Sequence, residues 1–212
     1  MLHENTELTI YLIRHGESEA NLRADSFGNK LTPLTKKGQR QAIRLGKLLK
    51  KEGVIFDKVY SSPLPRSLQT CQLVVGELGY PFDQVVQVQA LEEIDAGIWE
   101  GKIRDDVLTP EIALRMSRKG DLFAPVNGES WRMVRRRIAN WFDDEILYNP
   151  AYLTKRQTLG VFGHATADKL LLQDLINFDT AFLNKMHFGN TGYIKLFLNK
   201  DGISIHKFIS HP

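Results

Sequence analysis

Two histidines and two arginines in this sequence occupy positions from which they could handle a phosphate group. Arg14 and His15 directly follow one apolar run, and His164 directly follows another. Arg66 lies one turn into a predicted helix, just after the end of another predicted strand. Guanidinium groups form charge-assisted hydrogen bonds with phosphate oxygens, and the N-terminus of a helix favours an anion. Together, these four side chains predict a cavity that binds a phosphoryl group.

Each of these residues has a simpler interpretation when it is taken alone. A histidine at the end of a strand is more often a hydrogen-bonded structural residue than a catalytic one. A single arginine in the first turn of a helix is more often solvated. Only the combination of two imidazoles, two guanidiniums and a helix N-terminus favours phosphoryl chemistry.

The hydrophobic pattern predicts the elements that position these side chains. Short apolar runs indicate buried strands, and apolar side chains spaced three and four residues apart indicate helices. Strands are predicted at residues 8–13, 57–60, 85–91, 158–162, 194–198 and 203–208, and helices at residues 35–51, 64–78, 110–118, 129–147 and 164–177. This alternation predicts an α/β fold, a three-layer sandwich with a mostly parallel central sheet and helices on both faces. Ligands of such sheets bind beyond the carboxyl ends of the strands, where the histidines and Arg14 fall.

The segment at residues 92–127 interrupts this regular alternation. It is rich in glycine and proline, and it contains one predicted short helix. We expect it to form a small, partly helical lobe that is inserted over the site, within a single domain that spans residues 1–212. The specificity for a substrate is expected to depend on this lobe.

The composition limits the classes of partner. With 28 Lys+Arg and 25 Asp+Glu, the formal net charge of +3 is too small to indicate a nucleic-acid-binding protein. The arginines of the basic run Arg132–Arg137 are expected to lie mostly on the solvated face of their helix. No apolar run approaches the length of a membrane span, and the first nine residues lack the pattern of a secretory signal. We therefore expect neither a nucleic-acid nor a membrane partner, and a cytoplasmic location.

The types and spacing of other residues argue against a cysteine phosphatase, a nucleotide-binding loop and a metal site. Cys71, the single cysteine, lies on the apolar stripe of its helix, and the residue six positions later is Glu77 rather than the arginine of a cysteine phosphatase. The stretch Gly97–Ile103 has no Ser or Thr after its lysine, so it is not a nucleotide-binding loop. His206 and His211 form no recognisable set of metal ligands.

Six stretches of the sequence, in the same order and approximate spacing, resemble the histidine phosphatase superfamily, the group that includes the cofactor-dependent phosphoglycerate mutases. The resemblance extends over roughly residues 8–200. The stretches are Leu12–Asn21; Pro33–Thr35 with Gly38, Gln41 and Ala42; Ser61–Arg66 with Gln69 and Thr70; Leu91–Gly97 with Trp99–Gly101; Gly128–Ser130; and Gly163–His164.

This resemblance implies a phosphate clamp around one nucleophile. His15 would attack phosphorus as a neutral imidazole and form a phosphohistidine. Arg14, Arg66 and Asn21 would bind the phosphate oxygens, and His164 would complete the clamp. The charges of such a clamp can replace the Mg²⁺ of other phosphoryl-transfer sites, so we expect neither a metal nor another cofactor.

The resemblance also implies a general acid for the leaving oxygen. In the family, this acid is the glutamate four residues before a glycine, which corresponds to Glu93 before Gly97. Glu92 is the competing assignment. An enzyme with a neutral histidine nucleophile and a protonated acid would show a bell-shaped dependence of rate on pH.

Three functions follow from these residues. The leading hypothesis is a phosphomonoester hydrolase that acts on a small phosphorylated metabolite, and the similarity of residues 91–97 to fructose-2,6-bisphosphatases favours a sugar phosphate. The second is a phosphoglycerate mutase. The mutases, however, usually have a tyrosine near the acid and an adjacent pair of arginines, whereas Arg104, Arg115 and Arg118 are separated here. The third is a non-catalytic adaptor that binds phosphate. The resemblance is incomplete at Ala165 and Asn127, where glycine is common in the family.

Overall fold

The computed structural model describes residues 7–23, 25–28, 30–152 and 155–210. The N-terminal residues that were expected to lack a signal, up to residue 6, and His211 lie outside these described residues.

Within the described residues, six strands form one mixed sheet. They are β1 (Glu7–Arg14), β2 (Lys58–Ser61), β3 (Val86–Gln87), β4 (Arg156–Gly163), β5 (Tyr193–Asn199) and β6 (Gly202–Ile209). Their order across the sheet is β3-β2-β4-β1-β5-β6. The first four are parallel neighbours, whereas β5 is antiparallel to both β1 and β6. This arrangement confirms the expected mostly parallel sheet.

Helices cover both faces of the sheet. They are α1 (Lys36–Lys51), α2 (Pro65–Leu78), α3 (Arg104–Val107), α4 (Pro110–Lys119), α5 (Trp131–Phe142), α6 (Ala165–Ile176) and α7 (Thr180–Lys185). Alternate residues of β1 point to opposite faces. Tyr11 and Ile13 pack with α1 and α2, and Ile10 and Leu12 pack with α5 and α6. The expected three-layer sandwich is therefore confirmed, and Cys71 is fully buried in the layer between α1, α2 and the sheet.

The structure contradicts the strand predicted at residues 85–91. β3 contains only Val86–Gln87, and Gln89–Leu91 form a 3₁₀ turn. A tertiary contact accounts for the shorter strand. The carbonyl oxygen of Ala90 accepts a hydrogen bond of 2.6 Å from Arg137 on α5 instead of pairing with a strand.

The remaining elements differ from prediction mainly at their ends. α5 begins later than predicted because Ser130 caps it, with its Oγ 3.2 Å from the main-chain nitrogen of Met133. A π turn at Asp143–Leu147 continues the helix to the predicted end. The short helices α3 and α7 were not predicted. None of the helices in the described ranges is long and apolar enough to cross a membrane.

The fold brings the ends of β1, β2 and β4 to one edge. The main-chain nitrogen of His15 donates to the carbonyl oxygen of Gly163 at 3.2 Å, and that of Ser62 donates to the carbonyl oxygen of Phe162 at 2.9 Å. The start of α1 packs tightly against the loop after His15, since a Cβ on Gly38 would lie 2.0 Å from the carbonyl oxygen of Glu17. The loop that carries His15 is thereby held on two sides.

Candidate active site

A cavity of about 350 Å³ opens at this edge of the sheet, and we call it the phosphate cavity. Its wall includes all but one of the predicted site residues, namely Arg14, His15, Asn21, Arg66 and Glu93. The exception is His164, which is fully buried and lies behind His15, with 5.1 Å between the centres of the two rings. The tertiary structure thus brings together residues from four separate stretches of the chain.

The ring of His15 is held in the orientation that a nucleophile requires. Its Nδ1 lies 2.7 Å from the carbonyl oxygen of Gly16, to which it donates its proton. Its Nε2 accepts a hydrogen bond of 3.3 Å from Nε of Arg66, so this nitrogen carries the lone pair. Burial lowers the pKa of His15 well below its ordinary value, and the charges of Arg66 and Arg14 lower it further. His15 is therefore a neutral imidazole whose Nε2 lone pair points toward Arg66, on the wall of the phosphate cavity.

The backbone around His15 is fixed by side chains from distant elements. The main-chain nitrogen of Gly16 donates to Oγ1 of Thr70 on α2 at 2.9 Å. The carbonyl oxygen of His15 accepts hydrogen bonds from the main-chain nitrogen of Thr191 at 3.1 Å and from Nδ2 of Asn190 at 3.2 Å. Such anchoring lowers the cost of orienting the ring during a reaction.

Two guanidinium groups supply positive charge to the phosphate cavity. Arg66 lies in the first turn of α2 and is buried, and its Nη1 donates to the carbonyl oxygen of Lys30 at 3.0 Å. Arg14 is half-buried at the end of β1, and its Nη1 donates to the carbonyl oxygen of Phe188. Among the described residues, Nε of Arg14 has no hydrogen-bond partner. Both side chains are thus positioned at the cavity with donor groups for phosphate oxygens.

Asn21 presents a donor to the phosphate cavity. Its Oδ1 accepts hydrogen bonds from the main-chain nitrogen of Ser18 at 3.0 Å and from Nδ2 of Asn190 at 3.1 Å. Because these donors fix the oxygen of the amide, its NH₂ group is the part that is available to a ligand.

His164 is the N-cap of α6 and stands behind the cavity wall. Its Nε2 lies 2.9 Å from Oγ of Ser62, at the end of β2. Burial lowers the pKa of His164 well below its ordinary value, and the neighbouring His15, Arg66 and Arg14 act in the same direction. In this arrangement His164 packs on His15 and does not reach the cavity itself.

Glu93, like Glu100, lines the phosphate cavity. Its Oε2 accepts a hydrogen bond of 3.1 Å from the main-chain nitrogen of Thr166, and its Oε1 accepts one of 3.2 Å from that of Ala167. It therefore sits on the N-terminus of α6. The competing residue, Glu92, is not part of the cavity wall, and its carboxylate lies 4.0 Å from Nζ of Lys30.

Arg137 positions the segment that carries Glu93, and sequence reasoning missed it. Its guanidinium binds both carboxylate oxygens of Glu129, at 2.8 and 2.9 Å, and the carbonyl oxygens of Glu92 and Glu93, at 2.8 and 3.3 Å. The expectation that the basic run lies mostly on a solvated face is therefore wrong for Arg137. A signal was present, since Arg137 lies three residues after the buried Val134.

In the ranges that the structure describes, no group of three or more His, Cys, Asp or Glu side chains is arranged to hold a metal ion. The cationic side chains on the wall of the phosphate cavity include Arg14 and Arg66.

The sequence pattern of the histidine phosphatase superfamily (branch 1) matches residues 10–210. The chain belongs to this superfamily. The match covers the loop of His15, the segment of Glu93 and the start of α6, so it confirms the resemblance seen in the sequence motifs.

Curated relatives of this histidine phosphatase superfamily member are phosphoglycerate mutases. The chain is 34% identical over 169 residues to the 2,3-bisphosphoglycerate-dependent phosphoglycerate mutase of Bartonella tribocorum, covering 79% of this chain and 81% of the relative. It is 32% identical over 198 residues to the corresponding mutase of Rhodopseudomonas palustris, covering 92% and 94%.

Solved structures with the same fold include phosphatases. The α-ribazole phosphatase of Shigella flexneri superposes with a TM-score of 0.77 at 25% identity, covering 95% of this chain and 96% of that one. A phosphoserine phosphatase of Entamoeba histolytica in complex with phosphoserine has a TM-score of 0.77 at 26% identity, covering 96% and 97%. The superfamily and the fold are thus shown, whereas the relatives include both mutases and phosphatases.

Proposed function

We propose that this protein is a phosphomonoester hydrolase that acts through a phosphohistidine on His15. The observation that carries the proposal is the fixed tautomer of His15, with Nδ1 bound to Gly16 and Nε2 directed at Arg66. Nε2 attacks phosphorus, the bond from phosphorus to the ester oxygen breaks, and Glu93 gives that oxygen a proton. Water then attacks the phosphohistidine, Glu93 takes a proton from the water, and inorganic phosphate leaves.

The other site residues stabilise the charge that develops on the phosphoryl oxygens. Arg14 and Arg66 donate to these oxygens, and the amide of Asn21 adds a neutral donor. His164 acts from behind by packing on His15. Charge-assisted hydrogen bonds of this kind contribute roughly 1.5–3 kcal/mol each.

A phosphoglycerate mutase is the second candidate. The curated relatives support it, and so does the presence of Arg23 and Arg104 on the wall of the phosphate cavity, where they could bind a substrate carboxylate. In that reaction, the phosphoryl group on His15 would return to the substrate instead of passing to water.

The test is a substitution at the nucleophile. We expect His15→Ala to lower kcat/KM for phosphomonoesters by at least about 10³-fold, because no other group of the site can form the intermediate. The matched control, His206→Ala, alters an exposed ring on β6 and should leave kcat/KM unchanged. In a rapid quench of the wild type, we expect a label on the protein that is labile in acid and stable in base, as for phosphohistidine. A phosphoserine label would be stable in acid and labile in base.

Product analysis separates the candidates. A hydrolase releases inorganic phosphate from a panel of phosphomonoesters. A mutase instead converts 3-phosphoglycerate to 2-phosphoglycerate in the presence of 2,3-bisphosphoglycerate. Hydrolysis that His15→Ala leaves intact would overturn the phosphohistidine mechanism. Phosphate binding without hydrolysis or isomerisation would instead identify the adaptor.

A further inference from the structure

A second cavity, of about 510 Å³, lies beside the phosphate cavity and has aromatic walls. We call it the aromatic cavity. The aromatic residues that line it are Phe27, Trp99, Phe123 and Trp131. Other parts of its wall come from α4 and the residues around Pro125, within or next to the segment that follows Glu93.

The two cavities adjoin each other. Phe27, Ile94, Ala96, Arg104 and Thr166 line both of them. Ile94 directly follows Glu93, the group placed to protonate a leaving oxygen. A molecule with its phosphoryl group against His15 would therefore extend past Glu93 into the aromatic cavity.

Contacts between its rings hold the aromatic wall together. The ring of Trp99 lies 5.1 Å from that of Phe27 and 5.5 Å from that of Phe123, and its plane is inclined by only 26° to the plane of Phe123. The guanidinium of Arg104 lies 4.6 Å above the ring of Phe27. Rings that hold each other in this way offer a rigid, flat surface at a low entropic cost.

The carboxylates on the wall of the aromatic cavity are already paired with cations. Its wall has three carboxylates, those of Asp95, Asp121 and Glu129, and the guanidinium of Arg104. The carboxylates are paired with cations that approach from outside the cavity wall, namely Lys30, Arg135 and Arg137. Apart from the guanidinium of Arg104, which lies over Phe27, the wall therefore offers apolar rings rather than an unpaired charge to a ligand.

We propose that the aromatic cavity receives the leaving group of the substrate, and that this leaving group is a flat, largely apolar and uncharged ring system attached to the ester oxygen. This inference rests on the proposed function for the position of the phosphoryl group. It names the substrate class, a ring-bearing phosphomonoester, in place of a small sugar phosphate or a phosphoglycerate.

Binding of two phosphonates tests the inference without depending on turnover. 2-(1-Naphthyl)ethylphosphonate and ethylphosphonate share the same anionic group, and neither can be hydrolysed. We expect the naphthyl compound to bind the full chain about 10- to 100-fold more tightly, because its rings leave water for an aromatic surface. Titrations followed by ligand NMR give both values of Kd.

A matched pair of variants places the effect in the aromatic cavity. Met116 on α4 lines this cavity and is 37% exposed, whereas Met133 on α5 is 52% exposed and belongs to neither cavity wall. Met116→Asp should weaken binding of the naphthyl compound about 10-fold and leave that of ethylphosphonate unchanged. Met133→Asp should change neither.

The outcomes separate this inference from the proposed function. Equal affinities for the two phosphonates, or no binding of either, would overturn the inference, as would a preference that Met116→Asp leaves intact. Hydrolysis of 2-(1-naphthyl)ethyl phosphate and ethyl phosphate is measured separately. If the naphthyl phosphonate binds more tightly but His15-dependent hydrolysis is absent, the proposed function fails while the inference stands.

Discussion

The chemistry of His15 depends on a ring that carries no proton on Nε2. Three features of its surroundings favour this state, namely burial, the two nearby guanidiniums and the Gly16 carbonyl that holds the proton on Nδ1. The buried ring of His164 is also neutral and adds no positive charge to the pair. The carboxyl groups of Glu93 and Glu100 lie on the wall of the same cavity.

We therefore expect His15 to remain neutral at pH values where an ordinary histidine is charged. Its pKa lies well below the ordinary value of 6.5, so the ring should show no protonation between pH 8 and pH 6 in a ¹⁵N NMR titration. Arg66→Met should raise the pKa because it removes a neighbouring positive charge. A wild-type titration with its midpoint at or above the ordinary value would contradict this account.

Asp168 is a buried carboxyl near the site that the proposed reaction does not use. It is fully buried on α6, and within the described residues neither of its oxygens has a hydrogen-bond partner. Burial raises its pKa well above the ordinary value and the charge of Glu93 adds to this, while Arg14 opposes it. An unpaired carboxyl in this position costs free energy whenever it ionises.

Asp168→Asn should therefore stabilise the protein as the pH rises. Because the folded pKa of Asp168 is raised, its favourable contribution exists below the unfolded pKa and is lost as the pH passes through the folded value. At pH 8 we expect the variant to gain about 1–2 kcal/mol in the free energy of unfolding, and less at pH 5. Denaturant titrations measure this, with Asp174→Asn, an exposed position on the same helix, as the control. A constant difference across this range would rule out the ionisation as its cause.

At the level of elements, the position of Glu93 depends on how its segment packs. The segment that runs to Gly97 lies between Arg137 of α5 and the backbone at residues 126–128. Gly97 has a φ of 54°, and a Cβ at this position would lie 2.2 Å from the carbonyl oxygen of Val126. A Cβ on the facing Gly128 would lie 2.7 Å from the carbonyl oxygen of Asp95. The requirement for glycine at position 97, four residues after Glu93, thus has a steric reason.

Gly97→Ala should destabilise the protein through both strain and overlap. We expect a loss of about 3 kcal/mol in the free energy of unfolding, together with a lower kcat, because the segment of Glu93 must shift. Gly101→Ala is the matched control, since its φ of 73° carries similar strain but no atom lies within 4 Å of the added Cβ. That variant should lose only about 1 kcal/mol. Equal losses for the two would show that backbone packing at Gly97 has no part in the effect.

At the level of the whole molecule, the net charge of +3 matters less than where the cations lie. The fold brings the buried Arg66 and the half-buried Arg14 to one cavity, and their guanidiniums give this cavity a positive potential. Of the other arginines of α5, Arg132 and Arg136 are exposed, and Arg135 lies 3.6 Å from a carboxylate oxygen of Asp121.

Hydrolysis should accordingly survive the removal of divalent metals. We expect kcat/KM to be unchanged in EDTA, because Arg14 and Arg66 provide the charge that Mg²⁺ provides in other phosphoryl-transfer sites. The measurement compares chelated enzyme with enzyme supplied with Mg²⁺. A loss of activity that added Mg²⁺ reverses would refute the metal-free clamp.

Several features of the fold and site followed from local sequence. The period of the apolar residues indicated β1, β2, β4 and the helices around them, because side chains alternate along strands and recur every three or four residues along helices. Arg14 and His15 were predicted at the site because they follow the carboxyl end of a strand, where ligands of such sheets bind. The prediction of a strand over residues 85–91 was wrong, because a contact from α5 rather than local preference decides the structure of this segment.

By itself, the sequence determined the three-layer fold, the superfamily and the residues at the phosphate cavity, since these depend on local periodicity and short motifs. Only the tertiary structure decided that Glu93 rather than Glu92 lies at the cavity, that His164 stands behind His15, and that Arg137 holds the segment of Glu93. Each of these depends on contacts between residues far apart in the chain, such as the 73 positions from Glu93 to Thr166 and the 47 from Ala90 to Arg137. The aromatic cavity has the same origin, because its rings become one wall only when α4, α5 and the segment after Glu93 pack together.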